Sequence, residues 1–177
     1  MVTRRSLLGA ALIGLVPGSS AKTAPDAIEE FRIAGSAATV LLRRGPAAAV
    51  LLHVCRRWHY EIAPLDTGEG GVTGYTTDRT TAAGFETNHR SGTAVALYPR
   101  AYPLGGSERL WPHQEAVVRD ILRDCEGVVV WGGDLSPVKM SHFHVVTAGA
   151  TLTRVADRLD TSRHRARRRR IRRYADG

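Results

Sequence analysis

Cysteine is scarce in this chain of 177 residues, which contains only Cys55 and Cys125. Neither belongs to a C-x-x-C pair, so a thiol-based metal site or a redox site is not expected. In an oxidising compartment the two thiols would either form one disulfide or stay buried and free, and the sequence leaves both alternatives open.

The chain also lacks internal repeats and, at its start, an apolar run long enough to cross a membrane. Residues 1–21 instead follow the pattern of an export signal. The pattern consists of Arg4-Arg5, apolar residues 7–16, the helix-breaking Pro17-Gly18 and small residues up to a cleavage point after Ala21. Paired arginines followed by two leucines resemble a twin-arginine signal, with an ordinary signal or an uncleaved anchor as alternatives. We therefore expect an exported protein.

A net excess of positive charge is missing from the body of the protein, although the whole chain carries a formal net charge of +8. Residues 158–177 hold nine Arg and two Asp and residues 1–22 hold three cations, which leaves residues 23–157 with a net charge of −2. A nucleic-acid partner is therefore not expected, because the body has no basic surplus and the leader indicates export.

The arginine block of residues 161–177 is predicted to be a disordered tail, since like charges repel one another. On an exported protein such a tail could bind an anionic wall polymer or an anionic membrane surface. The alternative is a solvated tail without a specific partner.

Length and a hydrophobic content of 43% predict one compact domain, which we place at residues 28–150 and expect to be a monomer. Apolar residues at helical spacing predict helices over residues 46–62 and 112–126, and a C-terminal helix over 151–160. Strands are predicted over residues 31–33, 39–42, 72–76, 93–97, 128–131 and 142–147. The expected fold class is α+β: one small antiparallel sheet with two main helices packed on it.

Histidines carry the chemistry suggested by this sequence. His142 and His144 lie two apart in a predicted strand, so both side chains project from one face and could reach one metal ion. His89, just before another strand, could supply a third ligand. Three histidines suffice for a catalytic zinc, which lowers the pKa of its bound water. The alternative is that the two histidines beside Phe143 have only a packing role in the strand and bind no metal.

Two motifs resemble the zinc peptidases that act as D-alanyl-D-alanine carboxypeptidases or L-alanyl-D-glutamate endopeptidases, the VanX and VanY type. Members carry S-x-H-x-x-G-x-A-x-D and later W-G-G-D followed by D-x-x-H-F or E-x-x-H. The matching residues here are His89, Gly92, Ala94, Trp131, Gly132, Gly133, Asp134, His142 and Phe143. The order of elements agrees over roughly residues 30–147, including residues 56–59 and 102–105. The resemblance implies the fold of these peptidases.

The resemblance also implies a zinc ion held by His89 and His142, but two positions depart from the family pattern. Ala96 stands where the family has its aspartate ligand, and Lys139 where it has the acidic general base. Alanine has no lone pair, so His144 would have to supply the third bond to zinc. A protonated lysine cannot accept a proton from water.

Other residues are predicted to complete the site. Asp134 or Glu86 could replace the missing base, although the sequence places neither. Arg79 matches an arginine that would steady the developing oxyanion, or else only shapes its loop. Tyr75 and Trp131 are predicted to contact the substrate.

Two functions follow from this pattern. One is an exported metallopeptidase that cuts cell-wall peptide with a rearranged zinc site of His89, His142 and His144. The other is a catalytically inactive relative that keeps the groove and binds cell-wall peptide or polymer while the basic tail tethers it.

Overall fold

The computed structural model describes residues 27–66 and 71–160. The predicted signal peptide and the arginine-rich tail lie outside the described residues. The elements, in chain order, are β1 (Ile28–Arg32), β2 (Thr39–Arg43), α1 (Pro46–Glu61), β3 (Val72–Thr73), β4 (Ala94–Leu97), α2 (Pro112–Asp124), β5 (Val129–Trp131), β6 (His142–Val145) and α3 (Gly149–Leu159). Short 3-10 helices span Gly84–His89 and Gly132–Asp134.

The α+β class is confirmed, but the expectation of one sheet is wrong. The strands form two antiparallel sheets: the hairpin β1-β2, and a four-stranded sheet in the order β3-β4-β6-β5. β1 and β2 form a ladder only with each other, joined by a turn in which Gly35 has a φ of 90°. Beyond the hairpin, β2 makes single backbone hydrogen bonds, among them one from Arg43 N–H to the Gly92 carbonyl at 2.9 Å. A third helix, α3, packs against α1.

Side chains of the interior strands β4 and β6 alternate between the two faces of the second sheet, which we call the histidine face and the core face. Ala94 pairs with His144 and Ala96 with His142, and directly paired residues in an antiparallel sheet project from the same face. Phe143, between the two histidines, projects from the opposite face into the main core.

Aromatic packing against α1 anchors this core. The ring of Trp58 meets Phe143 edge-on, with 6.0 Å between centroids, and Trp131 stacks on Phe143 at 6.4 Å. All three side chains are fully buried. The orientation of β6 is therefore determined by the burial of Phe143, and the adjacent histidines must point to the other side.

Polar contacts join α1 to α2. The guanidinium of Arg57 donates to Asp120 at 2.9 Å and to Asp124 at 2.7 Å. Asp124 also accepts a hydrogen bond from Nε2 of the buried His53, at 3.1 Å. Arg57 belongs to the segment 56–59, which contributes to the family resemblance. In this structure Arg57 has a role in packing α1 against α2.

The two cysteines are free and buried, one in α1 and the other directly after α2. Burial raises the pKa of both the Cys55 and the Cys125 thiol to about 12. Of the two alternatives, the structure has two neutral core thiols rather than a disulfide.

Replacing Phe143 with alanine is expected to lower the free energy of unfolding by about 3–5 kcal/mol, because the ring leaves a cavity between Trp58 and Trp131. The control is Val146→Ala, at a half-exposed side chain just beyond β6, where a change within about 0.5 kcal/mol is expected. Urea unfolding measures both, and equal losses would contradict the central place of Phe143.

Candidate functional site

His89 is held at the end of the 3-10 helix Gly84–His89, which covers the histidine face of the sheet. Its Nδ1 lies 2.8 Å from the carbonyl oxygen of Gly74. The chain then turns at Gly92, which has a φ of 67°. A Cβ atom there would lie 2.6 Å from the backbone nitrogen of Arg43, so only glycine fits.

His142 and His144 lie side by side on β6, as their spacing predicts. Nδ1 of His142 is 3.2 Å from Nε2 of His89, and Nε2 of His142 is 3.1 Å from Nδ1 of His144. Phe85 covers the pair, with its ring 4.9 Å from that of His142 and parallel to that of His144. The three imidazoles thus form one buried hydrogen-bonded chain.

The tautomers of the three hydrogen-bonded histidines follow from the contact between His89 and the Gly74 carbonyl. A carbonyl oxygen only accepts, so Nδ1 of His89 carries its proton and Nε2 accepts. Nδ1 of His142 must then donate to His89, and Nδ1 of His144 must donate to Nε2 of His142. With all three rings neutral, every contact is a proper hydrogen bond, and Nε2 of His144 keeps a lone pair at the end.

All three histidines are held in the neutral form. Burial lowers the pKa of His142 to about 2, and the electrostatic effects of the nearby His89, His144 and Lys139 side chains act in the same direction. Burial also lowers the pKa of His89, with Lys139 adding to the effect, and lowers that of His144. Protonation of His89 or His142 would break the donor order described above, whereas protonation at the free Nε2 of His144 would leave it intact.

Lys139 and Glu86 form a largely buried ion pair next to the histidines. Nζ of Lys139 lies 2.6 Å from Oε1 of Glu86, and the two side chains are 13% and 15% exposed. Burial alone would raise the pKa of Glu86, but the hydrogen bond and charge of Lys139, with the N–H groups of Ala82 and Ala83, outweigh it and lower that pKa. Glu86 is therefore ionised at neutral pH.

Gly132 determines where Lys139 lies. The backbone N–H of Lys139 donates to the Gly132 carbonyl at 2.9 Å, and its own carbonyl accepts from His142 N–H at 3.0 Å. A Cβ atom on Gly132 would lie 2.2 Å from the Lys139 carbonyl oxygen. The W-G-G-D segment thus holds Lys139 against the histidine strand.

The arrangement does not fit a zinc ion held by three histidines. The short contacts of His142 use Nδ1 toward His89 and Nε2 toward His144, and these two nitrogens are on opposite sides of one ring. The aspartate position is the buried Ala96, opposite His142 in the sheet. Within residues 27–66 and 71–160, no three His, Cys, Asp or Glu side chains are placed to hold a metal ion.

Asp134 forms an ion pair with an arginine of α2. Its carboxylate accepts two hydrogen bonds from Arg119, at 2.6 and 2.7 Å. The same guanidinium lies over the ring of Trp131 at 4.9 Å. The carboxylate of Asp134 is therefore paired with Arg119, and its predicted role as a replacement base stays a prediction.

Trp131 is also not available to a ligand. Its ring is 1% exposed, and its Nε1–H donates to the Met140 carbonyl at 2.7 Å. Trp131 was predicted to contact the substrate, but in the structure it is a core residue, because its indole is buried at the end of the short strand β5.

Arg79 and Tyr75 lie on the loop after β3. The side chain of Arg79 is exposed and that of Tyr75 is half-buried, and neither lines the groove described next. The backbone N–H of Tyr75 donates to the Leu41 carbonyl at 2.7 Å, which joins this loop to the hairpin.

A groove with a volume of about 240 Å³ opens beside the ion pair. Its lining combines four threonines with acids, a cation and an imidazole: Thr73, Thr76, Asp78, Thr80, Thr81, Glu86, His89, Ala96, Pro99 and Lys139. Hydroxyl and charged groups of both signs thus face one small opening.

A larger cavity of about 520 Å³ lies elsewhere, between the hairpin, α1 and α3. None of the predicted site residues lines it. We place the candidate site at the smaller groove, because the buried ion pair of Lys139 and Glu86 and the imidazole of His89 line it together.

Phe85 and Glu86 are the site residues whose positions the sequence did not indicate. The available signal is the spacing of Glu86 and His89, because residues three apart share a face in a 3-10 helix. That helix itself has no apolar periodicity, and the partner of Glu86 lies 53 residues further along the chain.

Comparisons with known proteins give no match: no family model, curated protein or solved structure matches this chain. In the described part of the chain, no helix has the length and apolar character needed to span a membrane.

The free energy of unfolding is expected to fall as the pH drops from 7.5 to 5.5. Unfolded histidines take up a proton near about pH 6.5, whereas native His142, with a pKa of about 2, stays neutral. The unfolded state then binds more protons, so the stabilisation present above about pH 6.5 is lost below it. His142 should contribute about 1.4 kcal/mol in total across this range, and its slope should approach about 1.4 kcal/mol per pH unit only below about pH 6. Urea titrations across this range measure the slope.

The slope should become smaller in His142→Asn. It should stay unchanged in His113→Asn, because His113 is exposed on α2. An unchanged slope in His142→Asn would contradict a neutral, buried His142.

Proposed function

We propose that this protein is an exported, non-catalytic relative of the D-alanyl-D-alanine and L-alanyl-D-glutamate peptidases that binds cell-wall peptide. The observation that carries this proposal is the buried pair of Lys139 and Glu86 beside His89. The finer fold assignment, to the fold of these peptidases, belongs to the same proposal.

Hydrolysis requires a group that takes a proton from water, and neither Lys139 nor Glu86, the ion pair beside the histidines, is free to do so. Lys139 has no lone pair while it is charged. Both carboxylate oxygens of Glu86 are engaged, Oε1 by Lys139 and Oε2 by the N–H groups of Ala82 and Ala83. A general base would have to break one of these contacts.

Recognition requires less, and the groove supports it. Lys139 can donate to a peptide carboxylate, Asp78 can accept from peptide N–H or ammonium groups, and the threonine hydroxyls can do both. The volume is below the roughly 300–1,000 Å³ of drug-sized pockets, so the end of a short peptide suits it. The family resemblance indicates a peptide containing D-alanine or D-glutamate.

The second candidate function is an active zinc peptidase with a rearranged site. Its support is the separation of the histidine nitrogens, 3.1 and 3.2 Å. Two nitrogens bound to one tetrahedral zinc lie roughly 3.3 Å apart, given bonds of about 2.0–2.1 Å. This function requires a turn of His142 or His144 so that three nitrogens face one point.

Export by the twin-arginine route and tethering by residues 161–177 complete the proposal. The arginine block would bind an anionic wall polymer or membrane surface, which keeps the groove close to its peptide.

Binding is tested by calorimetry with a synthetic stem peptide ending in D-Ala-D-Ala and with the same peptide ending in L-Ala-L-Ala. We expect affinity in roughly the micromolar to millimolar range for the first peptide and weaker binding of the second. Lys139→Met should weaken binding at least about tenfold, because the cation in the groove is lost. The control is Arg123→Met, an exposed cation on α2 outside the groove. Equal affinity for both peptides, or none, would refute the proposed function.

Catalysis is tested separately by zinc analysis of protein purified without chelator and by mass spectrometry of wall peptides after incubation with added zinc. We expect far less than one zinc per chain and no fragments. One zinc per chain together with new fragments, both abolished by His144→Ala, would establish the second candidate function instead.

A further inference from the structure

We infer that the cavity of about 520 Å³ between the hairpin, α1 and α3 binds an anionic amphiphile, an alkyl or acyl chain that ends in a carboxylate or a phosphate. This cavity is a second site, separate from the groove beside Lys139, so the inference goes beyond the proposed recognition of peptide. The structure supports it through the small apolar side chains in the walls, arginines from three segments of the chain, and a buried histidine that orients one of these arginines.

Small apolar side chains create the space in this cavity. Ala48 and Ala49 of α1 and Ala156 of α3 line it, and larger side chains at these positions would fill it. Further apolar surface comes from Phe31, Leu52 and Leu159. The volume lies within the roughly 300–1,000 Å³ that is usual for small-molecule pockets. A hydrocarbon chain gains free energy when it leaves water for walls of this kind.

Arginines from three segments line the same cavity: Arg32 of β1, Arg44 after β2 and Arg56 of α1. Nε of Arg32 donates to the Ser36 carbonyl at 3.0 Å, and Nε of Arg44 lies 3.6 Å from the carboxylate of Glu29. Both contacts orient a guanidinium through its Nε. The two terminal nitrogens of a guanidinium match the paired oxygens of a carboxylate or phosphate, which makes these groups suitable partners for an anionic head group.

Arg56 is oriented from inside the protein. Its Nη2 lies 3.0 Å from Nδ1 of His53, a buried side chain that also lines the cavity. Burial, followed by the charge of Arg56, lowers the pKa of His53, so the ring is neutral. A guanidinium only donates, so Nδ1 accepts, and Nε2 carries the proton and donates to Asp124 at 3.1 Å. His53 is therefore a positioning residue for the guanidinium of Arg56.

The balance of charge in the lining determines the sign of the ligand. Asp157 and Asp160 of the α3 end also line the cavity, so three arginines and two carboxylates leave a net charge of +1 while His53 is neutral. An anionic head group complements this lining better than a cationic one. The arginine block of residues 161–177 follows Asp160 directly in the sequence, so further positive charge is attached to a residue that lines the cavity.

The test is calorimetric titration of the protein, without its predicted signal peptide, with four ligands kept below their micelle concentrations: decanoate, decyl phosphate, decanol and decyltrimethylammonium. We expect one decanoate or decyl phosphate per chain, with an affinity in roughly the micromolar range. Decanol and decyltrimethylammonium should bind at least about tenfold more weakly, because neither has an anionic head group. The ratio of the two anion affinities shows whether the site prefers a carboxylate or a phosphate.

Chain length tests the apolar walls. Affinity should rise by up to about fourfold for each methylene added between hexanoate and decanoate, since a buried methylene contributes about 0.8 kcal/mol. The Tm should rise with decanoate as well, because a ligand that binds the folded state stabilises it. Attraction to the arginine block does not require the folded body, so it would leave the Tm unchanged.

Variants separate the cavity from the arginine block, which all of them keep. Ala49→Trp should fill the cavity and weaken decanoate binding at least about tenfold, and its control is Ala116→Trp, at an exposed alanine of α2. Arg56→Met should also weaken binding at least about tenfold, and its control is Arg123→Met on α2. Asp157→Asn should strengthen binding by roughly threefold, because a competing negative charge is lost.

Three results would overturn the inference. The first is the absence of saturable decanoate and decyl phosphate binding, and the second is decyltrimethylammonium binding as tight as that of decanoate. The third is unchanged decanoate affinity in Ala49→Trp, with circular dichroism as the check of its fold and Ala49→Leu as its replacement if it does not fold. None of these measurements involves a peptide, so the proposed function can fail or stand independently.

Discussion

The pairing of β4 with β6 is the constraint on which the rest of the site depends. Phe143 must enter the core between Trp58 and Trp131, and the alternation of a strand then sends His142 and His144 to the opposite face. Because those imidazoles cannot reach solvent, they need polar partners. The chain from Gly74 through His89 supplies them and determines every tautomer.

The ion pair of Lys139 and Glu86 is the second feature that defines the site. It places a paired charge next to neutral imidazoles, and the close contact between Gly132 and Lys139 makes its position specific. The glycines in the two motifs thus have a physical role in this chain that does not depend on a metal. Gly92 allows the turn after His89, and Gly132 allows Lys139 to approach the histidine strand.

Much of this protein follows from local sequence patterns. Apolar residues three and four apart predicted α1 and α2 with small errors at their ends, and the two-residue spacing predicted the shared face of His142 and His144. The prediction of one sheet was wrong: β1 and β2 pair with each other and not with the four-stranded sheet. Asp134 and Trp131 were expected near the ligand, but the first binds Arg119 and the second is buried.

By itself, the sequence determined the elements, the faces of the strands and the absence of an aspartate at position 96, because these depend on spacing and residue type. Only the tertiary structure decided that Glu86 would meet Lys139, that the rings of His89 and His142 would be hydrogen-bonded, and that Asp134 would pair with an arginine of α2. Those contacts join residues far apart in the chain. Their partners are chosen by core packing and by the need to satisfy buried polar groups, and neither is encoded in a local pattern.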